Sequence, residues 1–394
     1  MPRIKVCVVT GSRAEFGQLL PLLIKMNADD TFDLNLVVTG SHLSHDSGAT
    51  VSEIRNSGIP IKAEIPIDGI NDNSRKGIAI QIGEIVTKFA EYFQNNDTDL
   101  LIAIGDRYEM FAAGIAASSM LIPICHICGG STTSGAIDEV YRHSLTKMSC
   151  LHFTTCNAYR KRVIQLGEKP ETVYNVGSLA IENCMKVPLL QKDDLMNQLN
   201  MDCSVPYCVV TFHPVTLEDN TAPNEELYEL IKALDANPCY QYLITLSNVD
   251  SGGKAINEIW LNEGKKRKNF FVVNSLGMQR YLTALKYSEM MIGNSSSGTT
   301  EGPAMKIPVI DIGDRQKGRV FSDCTIHCEP KFSDIDASIK KAGTSGFKSV
   351  AANVINPFGD GTTSDKMINV LKENLSKGLN IKKDFFDIDF EVSD

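Results

Sequence analysis

Three kinds of residue set the chemistry a chain can do at an anionic, proton-transferring site. Carboxylates carry protons, arginines neutralise phosphate, and glycine- or serine-rich turns bring an anion to backbone N–H groups. This sequence places all three directly after short apolar runs. The first run ends in Thr10-Gly11-Ser12-Arg13-Ala14-Glu15-Phe16-Gly17. A glycine turn opening a helix presents N–H groups and a positive dipole end, a natural phosphate site. Arg13 can meet a phosphate with a bidentate fork; the plainer alternative is a surface arginine. The turn is not G-x-G-x-x-G, so dinucleotide binding gains little support.

A second run, Leu100–Ile104, ends in Gly105-Asp106-Arg107-Tyr108-Glu109, two carboxylates flanking an arginine. Asp106 there suits proton transfer, or caps the following helix. Next come His126, Gly129-Gly130-Ser131, and Asp138-Glu139 ahead of Arg142-His143. Asp138 and Arg142 stand at i and i+4, so a structural ion pair is the alternative to a catalytic aspartate. His126 reads as a satisfied core residue rather than a catalyst. In the second half His213-Pro214 and Asn248 each follow an apolar run. The run Gly293-Asn294-Ser295-Ser296-Ser297-Gly298-Thr299-Thr300-Glu301 is the strongest. A serine-glycine loop opening a helix holds a diphosphate, and Glu301 can accept both hydroxyls of a ribose; a solvated loop is the alternative. Arg315, Lys317 and Arg319 then follow another run, a placement that favours an anion over a solvated charge cluster.

The elements that must position these residues are strands alternating with helices. Strand patterns fall at Ile4–Thr10, Leu34–Thr39, Leu100–Ile104, Ile122–Ile127 and His152–Thr155, then at Tyr207–Phe212, Tyr240–Thr245, Phe270–Val273, Met290–Ile292 and Val309–Ile312. Apolar strands separated by amphipathic helices predict α/β architecture with parallel sheets covered on both faces. The polar, proline-flanked stretch 187–205 predicts a linker between two Rossmann-like, doubly wound domains, 1–186 and 206–375. Residues 376–394 form a tail that packs loosely or crosses back. Such sheets bind ligands beyond their strand C-termini, so two domains facing a central cleft would ring one ligand with functional loops.

Composition narrows the partners. The 394 residues carry 39 basic and 48 acidic side chains, a net charge of −9, which argues against nucleic acid or a membrane surface. No apolar run approaches the ~20 residues of a membrane span. The N-terminus runs into a strand pattern without a signal-peptide core, so a cytoplasmic location is expected. Eleven cysteines, scattered through apolar segments, suit reduced thiols. Cys125 and Cys128 form a C-x-x-C with no second pair to complete a metal site, and no metal or other cofactor is expected. Parallel α/β enzymes of this size often pair, so a homo-oligomer, dimer or tetramer, is expected.

Taken in order, these motifs resemble the hydrolysing UDP-N-acetylglucosamine 2-epimerase family, of glycosyltransferase-B-like fold and of the bacterial sialic/nonulosonic acid type. The likeness runs from Gly11-Ser12-Arg13-Ala14 to about residue 375. It includes Gly105-Asp106-Arg107, Gly135-Ala136-Ile137-Asp138, Arg142-His143, His213-Pro214, Asn294-Ser295-Ser296 and Arg315-Gln316-Lys317-Gly318-Arg319. Non-hydrolysing relatives look like Gly-Thr-Arg-Pro-Glu at the first loop and lack the Arg-Gln-x-Gly-Arg run. The resemblance implies that Arg13, Arg107, His213, Asn248, Ser275, Ser295, Ser296, Glu301 and Arg315 hold UDP. It places Asp106, Asp138 and His213 in the catalytic group, with Glu139 beside them.

The implied reaction is loss of UDP from C1 and of a proton from C2, giving a glycal, followed by hydration. The product would be free N-acetylmannosamine for sialic or nonulosonic acid synthesis. One position departs from the pattern. The family usually has His-x-Gly-Gly-Glu with a catalytic glutamate; here Cys128 precedes Gly129-Gly130 and Ser131 takes the glutamate's place. Serine is neutral and accepts no proton unless a base activates it. Either Glu139, Glu109 or a histidine substitutes, or the substrate differs, or the activity is weakened. The competing readings are a hydrolysing epimerase of a UDP-2,4-diacetamido-2,4,6-trideoxy sugar (the legionaminic acid pathway), a UDP-sugar glycosyltransferase, and a non-catalytic UDP-sugar binder.

Overall fold

The computed structural model describes residues 3–44, 50–68, 72, 74–132, 137–213, 222–246 and 253–389. They form two compact units, Met1–Asn183 with Phe358–Asp394, and Cys184–Pro357. The first holds strands β1 (Ile4–Thr10), β2 (Phe32–Thr39), β3 (Ile61–Ile65), β4 (Leu100–Ile104), β5 (Ile124–Ile127), β6 (Leu151–Thr154) and β7 (Val173–Asn175), paired in the order β3-β2-β1-β4-β5-β6-β7. The second holds β8 (Tyr207–Thr211), β9 (Gln241–Thr245), β10 (Phe270–Val273), β11 (Met291–Gly293), β12 (Val309–Ile312) and β13 (Thr325–Cys328), in the order β10-β9-β8-β11-β12-β13. All pairings are parallel. Both units are doubly wound α/β folds, as the sequence pattern predicts, and agree with the glycosyltransferase-B-like fold that the resemblance implies.

Alternation along each central strand feeds two cores at once. Val6 and Val8 join one apolar cluster, while Cys7 and Val9 join the cluster on the other face of the sheet. In β8, Cys208 and Val210 point to one side and Tyr207 and Val209 to the other. A strand buried on both faces must be apolar throughout, which is why these runs are unbroken. The sheet order reverses between β1 and β4 and again between β8 and β11. Loops beyond those strand ends therefore splay apart and leave a crevice at the C-terminal rim.

The domain boundaries need correction in two places, and the tail takes one of its two expected courses. Stretch 187–205, predicted to be a linker, contains the helix Lys192–Gln198, whose Leu195 and Met196 are fully buried in the second unit's core. Residues 358–375, predicted to belong to the second domain, return to the first. The helix Thr363–Lys377 buries Met367, Ile368 and Leu371 among the residues under β1 and β4. Its Ser364 donates N–H and Oγ–H to the buried Glu182 carboxylate at 2.6 and 2.5 Å. The tail crosses back and docks. Lys383 donates to the Lys147 and Ser149 carbonyls at 2.8 and 2.6 Å and pairs with Glu168 at 2.6 Å, while the Phe386 N–H reaches the Gly167 carbonyl at 2.9 Å.

Candidate active site

In the first unit, the turn after β1 behaves differently from its sequence reading. Ser12 and Glu15 form a capping box: the Glu15 N–H reaches Ser12 Oγ, and Glu15 Oε2 accepts the Gly11 and Ser12 N–H groups at 2.7 and 3.0 Å. The N–H groups predicted to cradle phosphate are thus already taken by a carboxylate. Arg13 is exposed and pairs with Glu53 at 3.1 Å. Behind the turn, Arg107 meets the fully buried Glu109 through two parallel bonds of 3.1 and 2.8 Å and stands 4.0 Å from Glu15. Burial, and then the neighbouring Glu109 charge, raise the Glu15 carboxyl from 4.5 to about 7. Glu109 is therefore committed to holding Arg107. Sequence reasoning missed this buried pair as an anchor, although the Ser12-x-x-Glu15 spacing was a readable capping signal.

The proton-carrying group assembles around one guanidinium. Arg142, 1% exposed, projects from the helix Asp138–Met148. It hydrogen-bonds Asp106 after β4, Glu139 Oε2 at 2.5 Å, and the Ser131 carbonyl at 2.7 Å. His143 Nε2 lies 3.2 Å from Glu139 Oε1. Burial and the nearby Asp106 charge raise the Asp138 carboxyl, with Arg107 and Arg142 opposing. Asp106, Ser131, Asp138 and Glu139 are accordingly brought together at one strand-end rim. The pair that Arg142 makes along its own helix is with Glu139 at i,i+3.

Two supports set this corner. Gly105 has φ of +80°, a left-handed turn that suits glycine, and its carbonyl is bonded by His126 Nε2 at 2.7 Å. His126 Nδ1 meets Thr146 Oγ1 at 3.0 Å, and burial pushes the imidazole down to about 3, so it is the neutral core residue predicted. Cys128 adopts φ of +71°, unfavourable for a residue with a Cβ by about 1–2 kcal/mol, and so turns the chain toward Gly129 and Ser131. Burial, reinforced by Asp106, pushes its thiol up to about 12, which leaves it protonated and unreactive.

In the second unit the rim gathers hydrogen-bonding groups and cations. His213 follows β8, and Asn294 follows β11. Ser295 Oγ accepts the Ser297 N–H at 3.3 Å and opens the 3₁₀ turn Ser296–Gly298. The predicted single helix is thus a 3₁₀ turn followed by the short helix Glu301–Met305. Glu301 accepts a hydrogen bond from Thr300. Ser275 follows β10, exposed, and accepts the Gly277 N–H at 3.3 Å. Arg315 NH1 donates to the Asn294 carbonyl at 3.0 Å. Partial burial and the Arg319 charge lower the Arg315 guanidinium, the reverse of what an ion pair does, so cations are gathered where an anion would stabilise them. Asn248, Gly135, Ala136 and Pro214 lie outside the described residues. Among the described residues no cluster of His, Cys, Asp and Glu could hold a metal ion, and no helix is long and apolar enough to cross a membrane.

Residues 24–372 match the family model described as UDP-N-acetylglucosamine 2-epimerase. The chain belongs to the hydrolysing UDP-N-acetylglucosamine 2-epimerase family. It is 36% identical over 389 residues to the GDP/UDP-N,N'-diacetylbacillosamine 2-epimerase (hydrolyzing) of Campylobacter jejuni subsp. jejuni serotype O:2, covering 98% of this chain and 100% of that one. It is 36% identical over 386 residues to the polysialic acid biosynthesis protein P7 of Escherichia coli, covering 98% and 97%. A crystal structure of UDP-GlcNAc 2-epimerase from Neisseria meningitidis bound to UDP-GlcNAc matches with TM-score 0.78 and 17% identity over 94% of this chain and 100% of that one, a likeness of fold.

Proposed function

We propose that the protein is a hydrolysing 2-epimerase of a UDP-2-acetamido sugar, eliminating UDP to a glycal and adding water to release the free 2-epimer. The observation that carries this reading is the gathering of Asp106, Asp138 and Glu139 about the buried Arg142 at a strand-end rim. The C2–H bond is hardly acidic until C1 gains cationic character, so departure of the diphosphate must be assisted first. Arg315, Ser295, Ser296 and His213 supply that assistance in the second unit, with Ser275, Asn248 and Glu301 on the uridine. Arg13 and Arg107, which the resemblance implies at UDP, are paired in the first unit with Glu53 and Glu109.

Proton transfer then falls to the carboxylates. Asp106, paired with Arg142, takes the C2 proton; Asp138, whose carboxyl is raised by burial and by the Asp106 charge, returns one to the other face. Glu139 shares the guanidinium that holds Asp106 and the Ser131 peptide, and so stands in for the acid that Ser131 is not. The relative named for GDP/UDP-N,N'-diacetylbacillosamine favours that sugar as substrate; the description of the family model favours UDP-N-acetylglucosamine.

Proton NMR in deuterium oxide, run with UDP-N-acetylglucosamine and with UDP-N,N'-diacetylbacillosamine, tests the reaction and ranks the substrates. The expected result is UDP and a free 2-epimer carrying deuterium at C2. Saturable UDP binding without turnover of either sugar would instead mark a binding protein, and transfer only when an acceptor is added would mark a glycosyltransferase.

A further inference from the structure

We propose that Asn294 is a positioning residue that ties His213 and Arg315 into one preassembled contact surface for UDP. The inference rests on the reading of the second unit's rim as the UDP site. Asn294 is 1% exposed, and each of its polar atoms is engaged. Its N–H donates to the Thr211 carbonyl at 3.2 Å. Its Oδ1 accepts the His213 N–H at 2.7 Å, and its Nδ2 donates to the His213 carbonyl at 2.8 Å. Its own carbonyl accepts from Arg315 NH1 at 3.0 Å and from Gln316 Nε2 at 2.8 Å.

The amide addresses the His213 residue as a complementary pair, donor to acceptor and acceptor to donor. Turned over, the amide would set N–H against N–H and C=O against C=O, so its orientation is dictated by the bonds it makes. Aspartate keeps the acceptor and loses the donor; alanine loses both. The reach is short because β11 and β8 close up at their ends. Gly293, with φ of +143°, pairs with Thr211, and a Cβ on it would lie 1.8 Å from the Thr211 carbonyl oxygen. Glycine is required there, and the next residue can then bridge to the neighbouring strand's end.

His213 after β8 and Arg315 and Gln316 after β12 are thereby tied to the end of β11 through one side chain and its peptide. Leaving-group stabilisation demands donors fixed to within about 0.5 Å of their working positions. Phe212 anchors the loop after β8 in the core, and Asn294 fixes the His213 peptide one residue beyond it.

The test compares Asn294→Ala and Asn294→Asp with the native enzyme. It reads UDP affinity by calorimetry, kcat and KM, the melting temperature, and the His213 Cε1–Hε1 NMR signal in the ligand-free protein. Asn294→Ala is expected to raise the UDP Kd and lower kcat by at least about tenfold each while the protein remains folded at the assay temperature. Its His213 signal should shift and broaden without any ligand. Asn294→Asp should fall between, because the His213 N–H keeps its acceptor, and it supplies the comparison should the alanine variant not fold.

A merely structural role would lower the melting temperature and leave Kd, kcat, KM and the His213 signal at native values; that outcome overturns the proposal. Failure of the native enzyme to bind UDP would sink the site reading instead, and the His213 signal would still decide whether Asn294 holds this loop.

Discussion

On the proposed reading, Ser131 puts a hydroxyl where the resemblance implies a glutamate, and the neighbouring side chains bring another carboxylate near. Arg142 spends one nitrogen on the Ser131 carbonyl and on Glu139, and another on Asp106, so a carboxylate is held close to the vacant role. Glu139→Gln, which keeps the shape and removes the charge, should lower kcat by about 10²–10⁴ with little change in UDP affinity, measured by steady-state kinetics and calorimetry. Ser131→Glu should change kcat less than tenfold; a rise of orders of magnitude would mean the native site is catalytically impaired. Glu15 offers a test of a different kind. Its carboxyl is raised from 4.5 to about 7 by burial and by Glu109, so the folded state binds its proton more tightly than the unfolded chain does. Stability is therefore lost as pH rises between those two values, by up to about 1.4 kcal/mol per pH unit. Glu15→Gln, which can still accept the Gly11 and Ser12 N–H groups, should melt higher relative to native protein at pH 8 than at pH 5. An unchanged difference across that range would contradict the assignment. Asp106 was legible because a charged residue right after an apolar run falls at a sheet rim, whereas Asp138, Glu139 and Arg142, on the helix beyond β5, stood out only through the motif order and the resemblance. The Glu15–Glu109 pair was not legible, because its burial is created by Gly11 and Gly40 closing over Glu109, a tertiary fact.

The elements divide along a similar line. β1, β4, β10 and β12 fall where their largely apolar runs predict them. The strands that escaped notice are three of the four sheet edges; the fourth, β10, carries an apolar Phe-Phe-Val-Val run and is read from the sequence. β3 reads Ile-Lys-Ala-Glu-Ile and is half exposed, β7 has three residues, and β13 alternates around His327. An edge strand needs one buried face at most, so its composition approaches that of a loop. The tail escaped for another reason: its Lys-Lys-Asp-Phe-Phe-Asp run looks solvated, and only the fold places a receptor beneath it. Lys383 reaches the last carbonyls of the helix that carries Asp138 and Glu139, and there joins the buried Glu168. Burial alone would raise the Glu168 carboxyl; hydrogen bonds from His152, Lys147 and Lys383 outweigh it and hold the group at about 2. A depressed carboxyl contributes stability that is present above its free value near 4.5 and lost as pH falls toward 2. Lys383→Met should thus cost about 1–3 kcal/mol in urea denaturation at pH 7. The difference from native protein should shrink as pH falls from 4.5 toward 2. A deficit that persisted undiminished at low pH would assign Lys383 to packing rather than to this charge cluster.

At the scale of the whole molecule, the two units differ in how the chain builds them. Unit Cys184–Pro357 is one uninterrupted segment with its own pair of cores on the faces of its sheet. The other unit is completed only when residues 358–394 return, because Met367, Ile368 and Leu371 fill its core and Ser364 satisfies the buried Glu182. Such an arrangement was beyond a linear reading: an amphipathic helix records that it covers a sheet, not which sheet. It also makes the order of dependence testable. A chain ending at Pro357 leaves an apolar groove and an unpaired carboxylate in the first unit, and each large apolar side chain removed from a core costs about 2–5 kcal/mol, against a stability of about 5–15 kcal/mol for a whole domain. The truncated protein should therefore lose the cooperative unfolding of the first unit, while a fragment spanning 184–357 should express in soluble form and melt in a single transition. Calorimetry on the three proteins distinguishes the cases. The expected pattern is one transition retained in both truncated forms and a second present only in the full chain. A 1–357 protein that kept both transitions would show that the returning helix decorates the first unit rather than completing its core.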